Sequence, residues 1–330
     1  MTEKGSFNSF QTYSNKSFQY ALNAAKDYAN NALSEPSKVE PIDKRVFKTV
    51  DSIVENIKSG PRVNVAWDQL WPAGLYFANH ISGCVPLAIS QILTFFEQPK
   101  SLNYTFPERD KNYETIDWSD IKKHVRSNLR YNSSSFMFNT HYNSCGCTQN
   151  GHKTIGRLTR QIAYIGGINP SATDSTGTGG TYDQAYTAIV GIVGNILNVT
   201  KGTGVNDLYA ALMPNAVCYI RGASENNTGG HAWVADGRWR FKRHYWDYVG
   251  TPIPTKVGEP QQYDYELVNE YETVFTYFHY NWGWGGNSNG WFSINIFNPS
   301  KGEEYDNSFL SNSINRNYPK DIKYIQLKTK

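Results

Sequence analysis

The hydrophobic period changes halfway along the chain, and this change limits the folds that the sequence can adopt. In the first half, apolar residues recur at every third or fourth position, as on the buried face of a helix. Five segments show this pattern: 15–33, 46–57, 84–97, 121–129 and 154–168. In the second half, apolar and polar residues alternate as in antiparallel strands. Five segments alternate: 216–223, 231–239, 273–284, 290–297 and 322–328. Helices that precede strands predict an α+β fold.

Composition excludes several classes of protein. Of the 330 residues, 15% are aromatic and 18% are charged, so disorder is not expected. The net charge of +3 is dispersed rather than grouped into a basic stripe, so nucleic acid is not an expected partner. No apolar run reaches the ~18 residues that cross a membrane, and the start of the sequence lacks the apolar core of a signal peptide.

The sequence predicts a boundary near residue 60. Residues 1–60 contain the first two helical patterns, joined by a polar, proline-bearing linker at 34–44. Residues 61–330 have the composition of one globular domain. Within it, the segment STGTGG at 175–180 predicts a mobile loop, and 240–270 a long polar insertion between two strands.

Cys84 lies between Gly83 and the helix predicted at 84–97. Pro86 suits the first turn of that helix, where its missing N–H costs nothing. Because unpaired N–H groups and the helix dipole favour an anion, a thiolate is favoured at this position and the cysteine pKa is expected to fall. The alternative is a small buried hydrophobic residue at a helix start.

The other three cysteines are Cys145, Cys147 and Cys218. Cys145 and Cys147 are too close in sequence for an ordinary disulfide, and the sequence shows no companion ligands for a zinc site beside them. We therefore expect neither a disulfide framework nor a metal.

A nucleophilic thiol needs a base, and His231 has the most suitable setting of the seven histidines. It follows Gly229 and Gly230, which let a substrate backbone approach, and it begins a predicted strand. The other six are expected to be structural or exposed: His80, His124, His141, His152, His244 and His279. The alternative for His231 is an inert histidine at a strand edge.

The segment HYNWGWGGNSNGWF at 279–292 could complete a catalytic group. Asn281 would accept the proton on the far nitrogen of the imidazole and so fix its tautomer. Trp282 or Trp284 would shield that hydrogen bond from water. The alternative is an aromatic hairpin packed into the core.

Together these motifs resemble those of the streptopain family of cysteine peptidases, over residues 63–328. The resemblance implies a papain-like α+β fold, in which helices face an antiparallel sheet across a cleft. It also implies Cys84 as the nucleophile and His231 as the base, with Asn281 and Trp282 orienting His231. Pro86 stands where the family motif has alanine.

The resemblance extends to an oxyanion donor, Gln69 in the segment WDQLWPAG at 67–74, although Ala73 and Gly74 replace the family's Tyr-Asn. It further implies that the substrate pocket is rimmed by residues of the glycine-rich loops and the tryptophan motif: Thr178, Gly179, Gly229, Gly230 and Trp284.

The function implied is an endopeptidase that acts on protein or peptide substrates without a metal or other cofactor. Such enzymes are secreted by bacteria or lie at their surface and are made as zymogens, so residues 1–60 are expected to inhibit the cleft and be removed. Two alternatives stay open: a catalytically weak binding protein on the same fold, and a thiol amidase or acyltransferase.

Overall fold

The computed structural model describes residues 45–78, 80–125, 146–169, 179–224, 229–256, 258–294, 296–298 and 318–330. The helices in these ranges are α1 (Cys84–Phe96), α2 (Trp118–Ile121), α3 (Gln149–Ile165), α4 (Tyr182–Val193) and α5 (Leu208–Ala211). The strands are β1 (Val46–Ser59), β2 (Ser101–Asn103), β3 (Tyr113–Thr115), β4 (Leu197–Thr203), β5 (Ala216–Ala223), β6 (Gly230–Ile253), β7 (Gln262–Asn281), β8 (Gly290–Ser293) and β9 (Lys320–Thr329).

Seven of these strands form one sheet in the order β4-β9-β5-β6-β7-β8, with β1 paired to β6. The pairs β4–β9, β5–β9, β5–β6 and β7–β8 are antiparallel. Strands β2 and β3 form a separate antiparallel pair. Apart from β1, the strands of the large sheet follow helices α1 to α4 in the chain, and this order confirms the α+β fold expected from the sequence.

The chain divides into two units. The first comprises Met1–Asn56 and Phe241–Val274, whose described part is most of β1 with the far ends of β6 and β7. Inside this unit the buried carboxylate of Asp247 accepts hydrogen bonds from Thr49 Oγ1 (2.8 Å) and Asn269 Nδ2 (3.0 Å). Asp247 therefore links all three strands. The second unit comprises Ile57–Arg240 and Phe275–Lys330.

The second unit contains a core on each face of its sheet. Residues of β5 alternate between the two, because successive side chains in a strand point to opposite faces. Val217 and Tyr219 pack in one cluster with the buried faces of α1, α3 and α4. Cys218 and Ile220 pack in the other with aromatic residues of β6, β7, β8 and the loops that follow: Trp233, Phe278, Tyr280, Trp282, Phe292 and Phe297.

A buried ion pair joins β3 to α3. Arg157, whose side chain is fully buried, donates to both carboxylate oxygens of Glu114 at 2.9 and 2.7 Å. Thr154 Oγ1 and Tyr104 Oη donate to the same carboxylate at 2.6 and 2.9 Å. Burial alone would raise the pKa of Glu114, but the hydrogen bonds from Arg157 and Thr154 lower it below its ordinary value.

Two sequence predictions for the first unit are wrong. The segment 46–57 is part of strand β1, not a helix. Its apolar spacing fits either structure, but it is rich in β-branched residues, and pairing with β6 favours the strand. The segment 240–270 is no insertion, because β6 continues to Ile253 and β7 begins at Gln262.

The predictions for the second unit are mostly confirmed. Helices at 84–97 and 154–168 correspond to α1 and α3, and the five predicted strands to β5, β6, β7, β8 and β9. The helix predicted at 121–129 is wrong over 122–125, since α2 ends at Ile121, and 126–129 lie outside the described residues. Helix α4 and strand β4 were not predicted. The segments 15–33 and 34–44 and most of the loop 175–180 lie outside the described residues.

We predict that Glu114→Gln lowers the free energy of unfolding by about 3 kcal/mol at pH 7, because it removes the buried partner of Arg157 and leaves only the more exposed Asp110, whose Oδ1 lies 2.9 Å from Arg157 Nη1. Urea unfolding measures the difference. As a control, Asp183→Asn, which removes an exposed pair with Lys201, should change stability little.

The effect should also depend on pH in a defined direction. Because the pKa of Glu114 is lowered in the folded state, its contribution is complete above the ordinary value of 4.5 and declines as the pH falls below it. The free energies of unfolding of the wild-type protein and of Glu114→Gln should therefore converge as the pH falls below 4.5. A difference that stayed constant from pH 7 to pH 3 would contradict a charged pair.

Candidate active site

Cys84 is the first residue of α1, and the geometry of its neighbour explains the glycine before it. Gly83 has φ 78° and ψ 163°, in the region of positive φ where a side chain is strained. This turn places the Cys84 sulfur near the N–H groups of Ala232, Val85 and Cys84 itself, which all act to lower the pKa of the thiol. Because Ala232 follows His231 in β6, the helix start and the strand start lie together.

Burial raises the pKa of the Cys84 thiol. This effect is larger than the opposite effects of the Ala232 N–H, the Arg221 charge and the N–H groups at the helix start, which lower the pKa. The pKa thus shifts in the direction opposite to that expected from the helix terminus alone. The thiol is therefore mostly protonated near pH 7 unless a base removes its proton. Nothing in the sequence indicated that Arg221 lies near Cys84.

His231 is buried near the start of β6, opposite Gly222 of β5. Its Nε2 lies 2.8 Å from the main-chain carbonyl oxygen of Trp282. Since a carbonyl can only accept, Nε2 carries the proton in this hydrogen bond, and in the neutral ring Nδ1 keeps a lone pair. The ring thus has the tautomer of a base whose reactive atom is Nδ1.

Aromatic rings surround this imidazole. Trp284 stacks on it with ring centroids 4.9 Å apart, and Tyr318 with centroids 5.2 Å apart. Trp282 and Trp233 lie further away, at 6.2 and 6.1 Å. Trp284, expected either to shield His231 or to bind substrate, contacts the His231 ring directly. Tyr318 was missed, because a lone tyrosine far along the chain carries no local signal.

Asn281 has a different set of contacts from the one expected. Its Nδ2 donates to the carbonyl of Val65 at 2.7 Å and to Gln91 Oε1 at 3.1 Å, and its Oδ1 accepts from the N–H of Gly283 at 3.2 Å. The sequence analysis predicted that the Asn281 side chain would accept the proton on the far imidazole nitrogen. In the structure the acceptor at Nε2 is the Trp282 carbonyl, while the Asn281 amide holds neighbouring backbone.

The segment that carries Gln69 is fixed by backbone contacts on both sides. The Trp67 N–H donates to Gln91 Oε1 at 2.8 Å, and Asp68 forms a β-bridge with Trp284. The carbonyl of half-buried Gln69 accepts from the N–H of Ser82 at 2.8 Å. Because Ser82 is two residues before Cys84, this bond brings Gln69 to the start of α1.

Glycines border the same region. Gly229 and Gly230 are exposed and line a cavity of about 350 Å³ together with Arg221 and Lys323. A Cβ on Gly230 would lie 3.0 Å from the Gly222 carbonyl, whereas Gly229 has open space. Gly179 is exposed and precedes Gly180, which packs against Val85 of α1. Thr178 lies outside the described residues.

The expectation that Cys147 has no companion ligands is wrong. Its sulfur and one ring nitrogen each of His124 and His152 lie within 4.8 Å of one another, and all three residues are buried. The sequence did not indicate this, because His124 is more than twenty residues from the other two. Cys145 lies outside the described residues.

Comparison with known proteins defines the class. Residues 64–292 match the model of the peptidase C10 family. The match covers more than half of the chain, so the protein belongs to the peptidase C10 family and is a cysteine-type peptidase. This confirms the resemblance to streptopain-like enzymes and the papain-like α+β fold, with helices against one face of an antiparallel sheet.

Among solved structures, the chain is similar to a fragment of prointerpain A from Prevotella intermedia that carries a cysteine-to-alanine substitution. The identity is 15%, the TM-score is 0.45, and the similarity covers 96% of this chain and 84% of that one. No curated protein matches the chain. The family assignment rests on the family match, since so distant a structural similarity carries no argument about the site.

We predict that His231→Ala slows alkylation of Cys84 by iodoacetamide near pH 7. In this variant the alkylation rate should keep rising with pH beyond 9.0, the ordinary pKa of a thiol. The reason is that burial raises the pKa of Cys84 above that value. Mass mapping of the Cys84 peptide measures the rate separately from the other cysteines.

His244→Ala is the matched control. His244 pairs with Glu270 in the first unit, so its removal should leave the rate unchanged. Fast alkylation near pH 7 in His231→Ala would mean that the helix terminus alone activates the thiol.

Proposed function

We propose that the protein is an endopeptidase in which Cys84 is the nucleophile and His231 is the general base and acid. The observation that carries this proposal is the paired placement of the two residues. The Cys84 sulfur lies near the N–H of Ala232, the residue that follows His231, and His231 Nε2 donates to the Trp282 carbonyl. This arrangement favours Nδ1 as the atom that exchanges a proton with the thiol.

The reaction then follows from these groups. His231 Nδ1 takes the thiol proton as sulfur forms a bond to the carbonyl carbon of the substrate peptide. The imidazolium returns this proton to the amine as the C–N bond breaks, which leaves a thioester on Cys84. Water attacks the thioester after losing a proton to His231, which then returns that proton to the sulfur as the C–S bond breaks and the carboxylic acid is released.

Gln69 and the Cys84 N–H are proposed as the donors to the oxyanion. Their support is the hydrogen bond between Ser82 and Gln69, which brings the Gln69 segment to the start of α1. Gly179, Gly229, Gly230 and Trp284, with Thr178, are proposed to border the bound peptide. Exposed glycines admit a substrate backbone, and the cavity beside Gly230 is lined by charged side chains of both signs, Arg221 and Lys323 with Asp321.

A casein digest with Cys84→Ala as the comparison tests the proposal. Cys84→Ala should abolish cleavage, whereas Cys218→Ala, which removes a cysteine buried in β5, should retain it in the fraction that folds. Cleavage by Cys84→Ala would place the nucleophile elsewhere. Cys84 alkylation without casein cleavage would favour an amidase or acyltransferase. The absence of both alkylation and cleavage would favour a binding protein.

We predict that Gln69→Ala lowers kcat by about 10²–10³-fold with little change in KM, because an oxyanion donor acts mainly in the transition state. Steady-state kinetics on a fluorogenic peptide measures both constants. Gln262→Ala, an exposed glutamine in the first unit, is the control that should leave them unchanged. A rise in KM alone would indicate that Gln69 binds substrate and does not stabilise the oxyanion.

We further infer that the enzyme is a zymogen secreted by a bacterium or presented at its surface, inhibited by residues 1 to about 60. The support is the family resemblance together with the polar, proline-bearing segment 34–44, of the kind that proteases cut readily. None of the helices in the described ranges is long and apolar enough to cross a membrane.

We predict that self-incubation cleaves the chain between Ser34 and Gly60 and raises its activity. Strand β1 occupies Val46–Ser59 and pairs with β6, so cleavage should fall before Val46. Intact mass spectrometry identifies the site, and Cys84→Ala, incubated alone, should remain uncut. An uncut species that is already fully active would exclude inhibition by this segment.

A further inference from the structure

Three metal-ligating side chains meet outside the proposed active site. The sulfur of Cys147 and a ring nitrogen from each of His124 and His152 lie within 4.8 Å of one another. His124 follows α2, Cys147 precedes Thr148, the N-cap of α3, and His152 lies in the first turn of that helix. All three are at most 5% exposed, so the group is enclosed by protein.

The donor set is the one that zinc prefers. Zinc binds thiolate sulfur at ~2.3 Å and imidazole nitrogen at ~2.0 Å, usually with four ligands in a tetrahedron. Ligands around such an ion lie within about 4 Å of one another, so only small side-chain rotations would be needed here.

The surroundings of the group also suit a cation. The carboxylate of Asp120 lies close enough to His152 to act on it by charge, and it accepts hydrogen bonds from Thr148 Oγ1 at 2.6 Å and the Thr148 N–H at 3.0 Å. A zinc ion with one thiolate and two neutral imidazoles carries a net positive charge, which a nearby carboxylate partly balances. Trp71 covers both rings, with centroids 4.2 Å from His152 and 5.8 Å from His124.

We propose that His124, Cys147 and His152 bind one zinc ion, with a fourth position for water or a further ligand. The ion would join the end of α2 to the start of α3. It would also stabilise the segment on both sides of Gln69, because the His124 carbonyl accepts from Trp67 Nε1 at 2.6 Å and Trp71 packs on the two histidines. Its role is structural, and it takes no part in the proton transfers assigned to His231.

The test uses Cys84→Ala throughout, because a reactive thiol beside an imidazole would itself bind zinc. After removal of metal with a chelator, zinc should bind with one ion per chain by mass spectrometry of the metal content. At a free zinc concentration about 100 times Kd, Tm should rise by roughly 5 °C. Cys84→Ala/Cys147→Ser and Cys84→Ala/His152→Gln should lose both effects, whereas Cys84→Ala/Cys218→Ser, a matched loss of a buried thiol, should keep them.

Cobalt provides a readout that needs no substitution at the site. Cobalt added to Cys84→Ala/Cys218→Ser should show thiolate charge-transfer absorption and the intense visible bands of tetrahedral coordination. Absence of these bands, or of zinc binding by Cys84→Ala, would mean that the three residues are only a packed polar cluster. Zinc retained by the folded Cys147 variant would overturn the ligand set.

Discussion

One buried amide oxygen, Gln91 Oε1, connects the three parts of the proposed active site. It accepts from the Trp67 N–H and from Asn281 Nδ2, at 2.8 and 3.1 Å, on a fully buried side chain. Each of its partners lies next to a proposed functional group: Gln69 is two residues beyond Trp67, and the Trp282 carbonyl directly follows Asn281. Cys84 and Gln91 are seven residues apart in α1, so both lie on the same face of that helix. Breaking a buried hydrogen bond leaves a polar group unpaired, at a cost of about 1–3 kcal/mol. The two hydrogen bonds to Gln91 Oε1 therefore hold Trp67, Asn281 and α1 in fixed relative positions.

The same contact explains why the acceptor at His231 Nε2 is the Trp282 backbone carbonyl and not the Asn281 side chain. The Asn281 amide donates from Nδ2 to Val65 and Gln91 and accepts at Oδ1 from Gly283, so three hydrogen bonds fix the end of β7 at this point. The next carbonyl, that of Trp282, then has a fixed direction and reaches Nε2 at 2.8 Å. A carbonyl defines the tautomer more strictly than an amide, because it cannot donate.

Much of this arrangement could be inferred from the sequence, because the signals were local. Gly83 before Cys84 and two glycines before His231 indicated the helix start and the strand start, and the alternation at 216–223 coincides with β5. Contacts made across long sequence distances gave no such signal. Tyr318 reaches His231 from the far end of the chain, and His124 reaches Cys147 from beyond the intervening segment. The strand at 46–57 was misjudged for a related reason: its apolar positions fit a helix or a strand, and the partner that decides, β6, lies almost two hundred residues away.

The state of the Cys84 thiol follows from the same packing. The helix N-terminus and the nearby N–H of Ala232 favour the thiolate, but the same packing of α1 against β6 also desolvates the half-buried Cys84 sulfur in part. Desolvation penalises the charged form, and here it is the larger effect, so the pKa rises. The proposed nucleophile therefore depends on a base of fixed tautomer close by, and the strand that buries Cys84 is the strand that carries His231. Partial burial of the thiol and its proposed activation by His231 thus both depend on one contact between α1 and the start of β6.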